Sequence, residues 1–170
     1  MNVIAYHITW GTYGTRLHGD PRGTVDRAHN QFKTPVLGFD EHRWELEKTC
    51  LKFPPIRLTR EQMVFAELAI PQVCERGCWA YRCCATGPDH VHAILSSQHD
   101  PGTIRRLLKR WLGEALSERY SLPDGATWWA ECGSIRWITD EHYYSNALRY
   151  VSRQCATIEP GRPRPGLTLH

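Results

Sequence analysis

The sequence has no long apolar run. Its uninterrupted hydrophobic stretches are only a few residues long, far short of the roughly 20 residues that span a bilayer. Its first residues, Met1 to Ile4, lack the basic and hydrophobic regions of a secretion signal. We therefore expect a cytoplasmic protein with no membrane partner. The 7 cysteines are an odd number, which favours reduced thiols over a complete disulfide framework.

A strong charge of one sign is also missing. The 170 residues carry a net charge of only +3, so any nucleic-acid site would have to be local rather than a property of the whole surface. The hydrophobic fraction of 41% and the charged fraction of 23% are those of a globular chain. The length fits one domain, which we expect over residues 1–158, followed by a tail rich in Pro, Gly and Arg over 159–170.

Hydrophobic periodicity and turn residues predict the order of the elements. A strand comes first, then a long irregular insertion with one short helix, a capped helix, two strands, an amphipathic helix, a strand pair and a last helix. The predicted ranges are 3–10, 15–55 with a helix over 41–52, 59–76, 79–86, 90–96, a helix from 100, 128–132 with 134–138, and a helix from 139. Pro71 should kink or interrupt the capped helix. This order suits an antiparallel sheet with helices on one face.

His90 and His92 lie two residues apart in a predicted strand. Both rings therefore project from the same face of the sheet, where two imidazoles can bind one divalent cation. The alternative is a pair of partly exposed strand histidines without a ligand. A nucleotide hydrolase of the histidine-triad type would need a third histidine at position 94, where the sequence has Ile94.

Tyr150 and Gln154 lie four residues apart in the last predicted helix. This spacing places them on one flank, beside the apolar stripe of the helix. The amide oxygen of Gln154 could supply a third metal ligand. The alternative for Tyr150 is an interfacial tyrosine with its hydroxyl in water.

Taken in order, these motifs resemble those of the single-tyrosine HUH transposases of small bacterial insertion sequences, the insertion-sequence-200-like transposases. The motifs are Asp89-His90-Val91-His92, Gly133-Ser134-Ile135-Arg136 and Tyr150-Val151-Ser152-Arg153-Gln154. The segment over 12–20 also resembles a subgroup near the REP-associated tyrosine transposases. Apart from the insertion and the tail, the resemblance covers most of the chain.

The resemblance implies an α+β fold, with a ferredoxin-like βαββαβ antiparallel sheet, a C-terminal tyrosine-bearing helix and a long insertion after the first strand. It implies a bacterial, nucleoid-associated homodimer that cleaves and rejoins single-stranded DNA with hairpins through a 5′-phosphotyrosine. The partner's site could then be completed by the tyrosine helix. His90, His92 and Gln154 would hold Mg²⁺ or Mn²⁺, and Tyr150 would be the nucleophile, with Tyr143 as the competing choice.

Basic and aromatic residues predicted near this site are candidates for DNA binding, because positive grooves with stacking side chains hold single strands. A solvated helix face is the alternative for the four that lie in the amphipathic helix. The candidates are Arg105, Arg106, Lys109, Arg110, Arg136, Arg149, Arg153, Trp128 and Trp129. Trp137 is a further stacking candidate, whereas the periodicity places Trp111 in the core.

Two other functions stay open. One is a domesticated module that binds structured single strands without cutting them. The other is a zinc protein that uses Cys74, Cys78, Cys83 and Cys84. The cysteine spacing is weak evidence for zinc because no second clear pair of ligands is present, and buried or idle thiols are the alternative.

Overall fold

The computed structural model describes residues 3–21 and 38–157. Residues 22–37 of the predicted insertion and the predicted tail over 159–170 lie outside this part of the chain. The elements in chain order are β1 (Ala5–Gly11), α1 (Glu41–Thr49), α2 (Arg60–Arg76), β2 (Ala80–Thr86), β3 (His90–Ser96), α3 (Pro101–Arg119), β4 (Ser134–Ile138) and α4 (Glu141–Ser152). Within the described ranges, no helix is long and apolar enough to span a membrane.

The four strands form one antiparallel sheet in the order β2-β3-β1-β4. The two long helices of the core, α2 and α3, connect β1 to β2 and β3 to β4. This is the βαββαβ arrangement of the ferredoxin-like fold. The predicted α+β class and the antiparallel sheet are confirmed.

The helices cover both faces of the sheet, so the prediction of helices on one face is wrong. Tyr6, Ile8 and Trp10 of β1 pack in the main core with the apolar sides of α2 and α3. Ala5 belongs instead to a smaller cluster with Val151 of α4. Successive side chains of a strand point to opposite faces, and β1 therefore has a helix layer on each side.

The predicted capping box begins α2, with Thr59 and Gln62 exchanging side-chain and backbone hydrogen bonds. The expected interruption at Pro71 is absent, and α2 continues to Arg76. Proline has no N–H to donate to the carbonyl of Glu67, four residues earlier. That carbonyl accepts a hydrogen bond from the Cys84 thiol at 3.5 Å, so the acceptor that Pro71 leaves free has another donor.

The segment 128–132 is not a strand, contrary to the prediction, and β4 pairs with β1 instead. Trp128 and Trp129 are neighbours in sequence and both are buried in the main core, which the alternation of a strand does not allow. The Lys109 ammonium donates to the carbonyls of Ala130 and Glu131. These acceptors are therefore taken up by a side chain rather than by a neighbouring strand.

Candidate functional site

Polar side chains of β1 and β3 converge on the face of the sheet that α4 covers. In the β1–β3 register, Thr9 is opposite His92, and His7 and His90 lie two residues away on their own strands. Each of these residues points to the same face because the side-chain period of a strand is two. The site thus has three histidines where the sequence motifs predicted two.

His90 is held by the residue before it. Its Nδ1 lies 2.6 Å from Oδ1 of Asp89. Asp89 is buried, and its other oxygen, Oδ2, lies 3.9 Å from Nε of Arg16. A carboxylate on one imidazole nitrogen fixes the ring and leaves the other nitrogen available as a ligand. That nitrogen, Nε2, lies 3.4 Å from Oε1 of Gln154.

His92 makes its contacts through β1. Its Nδ1 lies 2.9 Å from the Thr9 hydroxyl and 3.0 Å from Nε2 of His7. Sequence reasoning missed His7 and Thr9. The sequence shows that both residues lie on one face of the first predicted strand. It does not show that this strand pairs with β3, where His92 lies 85 residues after His7.

Burial keeps two of the histidines neutral. It lowers the pKa of His92 to about 3, and the nearby His7, His90 and Arg16 lower it to a smaller extent. Burial also lowers the pKa of His7 to about 4, and the nearby Arg136 adds to this effect. Both imidazoles are therefore in the uncharged form that binds metals at neutral pH.

Tyr150 lies beside this cluster, whereas Tyr143 does not. The ring of Tyr150 has its centroid 5.7 Å from that of His92 and 6.5 Å from that of His7, and its side chain is 54% exposed. Tyr143 packs partly buried against the small cluster under α4. The structure thus brings Tyr150 together with the histidines of its own chain.

Gln154 lies outside α4, which ends at Ser152. The predicted place of Gln154 in the last helix is therefore wrong, although Gln154 still reaches His90. The chain beyond it is fixed by the buried carboxylate of Glu67, which accepts from the backbone N–H groups of Ala156 and Thr157 at 2.6 and 2.8 Å. This contact anchors the segment that carries Gln154 to α2.

The residues present define one candidate donor set for a cation. Among residues 3–21 and 38–157, no three His, Cys, Asp or Glu side chains are grouped as ligands of one metal ion. Two imidazoles and one amide oxygen remain, from His90, His92 and Gln154. Nε2 of His90 and Oε1 of Gln154 lie 3.4 Å apart. Both atoms are electron-pair donors, so one cation could bind to both. A mixed nitrogen and oxygen set suits Mn²⁺ or Mg²⁺.

The cysteines do not form such a set. All 7 are free thiols, and the absence of a three-ligand group in the described residues includes them. Cys74 is buried while Cys78 is exposed. The zinc hypothesis gains no support from this placement.

The basic residues of α3 were expected near the histidines, and this prediction is wrong. They lie elsewhere because α3 packs on the opposite face of the sheet. Arg105 and Lys109 donate to backbone carbonyls of the segment before β4, and Arg110 pairs with Glu114. Arg106 is exposed. The cations whose charges reach His92 and His7 are instead Arg16 and Arg136.

The Gly133-to-Arg136 motif has a structural explanation. A side chain at Gly133 would have its Cβ 2.6 Å from the carbonyl oxygen of Thr9, so only glycine allows β4 to begin this close to β1. Arg136 then lies opposite His7 in the register. Arg149 and Arg153 are exposed at the end of α4 that carries Tyr150.

Trp128 and Trp129 cannot stack on nucleic-acid bases in this structure, and that prediction is wrong. They are only 4% and 6% exposed, and their indole N–H groups donate to Ser117 and to the backbone of Lys109. Trp137 of β4 is 55% exposed and contacts Tyr6 edge-on. Trp111 stacks on Trp79, in agreement with its predicted place against the core.

No protein-family model matches the sequence, and no curated protein is significantly similar to it. Among solved structures, the chain is similar to a REP-associated tyrosine transposase bound to a REP hairpin, with 13% identity and a TM-score of 0.45, over 89% of this chain and 67% of that one. It is also similar to a protein assigned as a transposase from Deinococcus radiodurans R1, with 15% identity and a TM-score of 0.43, over 91% and 93% of the two chains. The first belongs to the group that the sequence motifs resemble, and the second is described only as a transposase.

Proposed function

We propose that this protein is a transposase that cleaves and rejoins single-stranded DNA through a covalent link to Tyr150. The observation that carries the proposal is the convergence of His90, His92, Gln154 and Tyr150 on one face of the sheet. Gln154 reaches His90 across 64 residues of sequence, and the ring of Tyr150 lies 5.7 Å from that of His92. Two imidazoles, an amide oxygen and an exposed phenol are the groups that such a reaction needs.

The chemistry follows from the nucleophile. The phenol oxygen of Tyr150 attacks the phosphorus of a DNA phosphodiester as the bond to the 3′ oxygen breaks. The 3′ oxygen leaves and takes up a proton, the phenol proton is lost, and the 5′ end stays on the protein as a phosphotyrosine. Attack by another 3′ hydroxyl reverses these steps. One phosphodiester replaces another of similar energy, so rejoining needs no external energy source.

His90, His92 and Gln154 are the residues that would hold Mg²⁺ or Mn²⁺. When bound, such an ion supplies a Lewis acid that polarises the phosphate and orients it. Asp89 orients His90 for this role through its 2.6 Å contact with Nδ1. Arg16 and Arg136 lie close enough to the histidines to lower their pKa values, and both can neutralise charge on a phosphate.

We assign the DNA contacts to the site face. Arg136 lies opposite His7 in the register, Arg149 and Arg153 flank Tyr150 in the chain, and all three are exposed, as a positive groove for a single strand requires. Trp137 lies opposite Tyr6 and therefore points to the other face of the sheet, so it is not part of this surface. The expected substrate is a single strand with hairpins, because the similar transposase is described as bound to a REP hairpin. A homodimer is the assembly that we expect on the DNA, and one chain already supplies every candidate residue of the site.

A covalent-adduct experiment tests the proposal. Single strands containing hairpins from the flanks of the gene are incubated with the protein and Mn²⁺, and the products are separated under denaturing conditions. We expect a protein–DNA adduct that disappears in Tyr150→Phe and persists in Tyr143→Phe, the matched control. Loss in Tyr143→Phe with persistence in Tyr150→Phe would overturn the assignment of the nucleophile.

The same experiment separates cleavage from binding alone. If hairpin strands bind but no adduct forms with any of them in the presence of Mn²⁺ or Mg²⁺, the protein is a DNA-binding module and the cleavage proposal is wrong. Retention of Mn²⁺ binding in His92→Ala would contradict the metal assignment independently. The adduct assay and the metal assay therefore test different residues of the site.

A further inference from the structure

His92 is the only one of the two proposed metal-ligand histidines whose second nitrogen meets another imidazole. Its Nδ1 lies 2.9 Å from the Thr9 hydroxyl and 3.0 Å from Nε2 of His7. The Thr9 hydroxyl also lies 3.4 Å from the same nitrogen of His7. His7 and His92 are both buried, so these three side chains must satisfy one another.

The triangle is compatible with either tautomer of His92. In the first, Nδ1 of His92 carries the proton and donates it to the Thr9 hydroxyl or to Nε2 of His7. In the second, Nδ1 of His92 accepts from His7 or Thr9, and the proton of His92 is on Nε2. Only the first leaves a lone pair on Nε2 of His92 for a ligand.

We infer that His7 and Thr9 are positioning residues that hold His92 in the tautomer able to bind a cation through Nε2. This inference rests on the proposed function, because it assigns a role at the same metal site. His90 obtains the equivalent support from Asp89. The two ligand histidines thus have different partners on their second nitrogen, a carboxylate for one and a hydroxyl with an imidazole for the other.

The network can be removed one side chain at a time. Thr9→Val deletes the hydroxyl and keeps the shape. His7→Leu removes the imidazole, while His7→Gln keeps a polar group that can accept a hydrogen bond. Thr86→Val is the matched control, because the buried hydroxyl of Thr86 has no hydrogen-bond partner within the described part of the chain and Thr86 lies on β2.

Two measurements on the full chain read out the role. Nitrogen NMR of ¹⁵N-histidine-labelled, metal-free protein reports the tautomer of His92, and titration with MnCl₂ reports metal affinity. We expect Thr9→Val and His7→Leu to shift the His92 nitrogens away from the Nδ1–H form and to weaken Mn²⁺ binding about 10- to 100-fold. His7→Gln should keep most of the affinity, and Thr86→Val should keep all of it.

The outcomes separate this inference from the proposed function. Wild-type nitrogen shifts and wild-type Mn²⁺ affinity in both Thr9→Val and His7→Leu would overturn the positioning role. If His7→Leu does not fold, Thr9→Val decides the question alone. A tautomer that depends on Thr9 in a wild-type protein that binds no Mn²⁺ would support the positioning of His92 and overturn the metal assignment.

Discussion

The two faces of β1 differ in what they bury. On one face, Ile8 and Trp10 are 0% and 1% exposed and pack in the apolar core. On the other, His7 is 8% exposed and is satisfied by polar neighbours. One strand thus contributes alternately to the core and to the site. The comparison teaches that His7 and His92 are nearly as buried as the core but depend on hydrogen bonds rather than on packing.

The layers behind the two faces differ in the same way. Among the described residues, the cluster under α2 and α3 has 20 buried members, including long helical side chains such as Leu108 and Leu112. The cluster under α4 has 6, half of them alanines. Because the free energy of burial follows the apolar area removed from water, stability should come mainly from the first layer. The second layer positions Tyr150 and the histidines.

The largest expected effect on stability comes from the first layer. Leu112→Ala removes a fully buried side chain of α3 and should lower the free energy of unfolding by about 2–5 kcal/mol, through lost burial and the cavity left behind. Leu68→Ala, at a side chain of α2 that is 62% exposed, is the control and should change it by less than about 0.5 kcal/mol. Urea unfolding measures both. A small effect of Leu112→Ala would contradict the assignment of the main core.

The site face should be sensitive to acid. The pKa values of His7 and His92 are about 4 and 3 in the folded chain, below the unfolded value of about 6.5. The unfolded chain therefore binds protons first. The stability associated with neutral His7 and His92 is complete above pH 6.5 and is lost as the pH falls toward 4 and 3. Within this window, each histidine should lower the free energy of unfolding by about 1.4 kcal/mol for every unit by which the pH falls.

Urea unfolding of the metal-free protein at pH 7, 6 and 5 measures this dependence. His7→Gln removes one of the two titrating groups, so its stability should fall less steeply with acid than that of the wild type. Gln98→Ala, at an exposed position with no ionisable group, should leave the slope unchanged. An equal slope in His7→Gln and the wild type would show that His7 takes up no proton when the chain unfolds, which would contradict its lowered pKa in the folded chain.

The sequence predicted those elements whose signals are local. The repeat of Ile104, Leu108, Leu112 and Leu116 in α3 is a property of that helix alone, and all four side chains are buried. His90 and His92 share a face because of the strand period. What a local pattern does not contain is the partner strand, so the contacts of His92 with His7 and Thr9 were not predictable. The burial of Trp128 and Trp129 was missed for the same reason.

A contact between the two layers should have an intermediate effect. The buried carboxylate of Glu67 in α2 accepts from the backbone of Thr86, Ala156 and Thr157. Glu67→Gln keeps the shape but replaces one acceptor oxygen with a donor, which should cost about 1.5–3 kcal/mol of stability. Because Gln154 precedes the anchored segment, Mn²⁺ binding should weaken too.

Glu61→Gln is the control for this change. Glu61 is in the first turn of the same helix and pairs at the surface with Arg119, so the variant should lose about 0–1 kcal/mol and bind Mn²⁺ as the wild type does. Unfolding and MnCl₂ titration are measured on the same samples. A Glu67→Gln variant that is destabilised but keeps its Mn²⁺ affinity would show that the anchor supports the fold without positioning Gln154.

The smallest expected effect distinguishes the faces by their charges. Arg136 lies opposite His7 on the site face, while Arg106 is exposed on α3, in the layer of the other face. If DNA follows the site face, Arg136→Gln should weaken hairpin binding and reduce the dependence of log affinity on log salt by about 0.7, the value for one phosphate contact with a single strand. Arg106→Gln should leave both unchanged. Equal losses in the two variants would mean that the strand also crosses α3, and the separation of a structural face from a functional one would then fail.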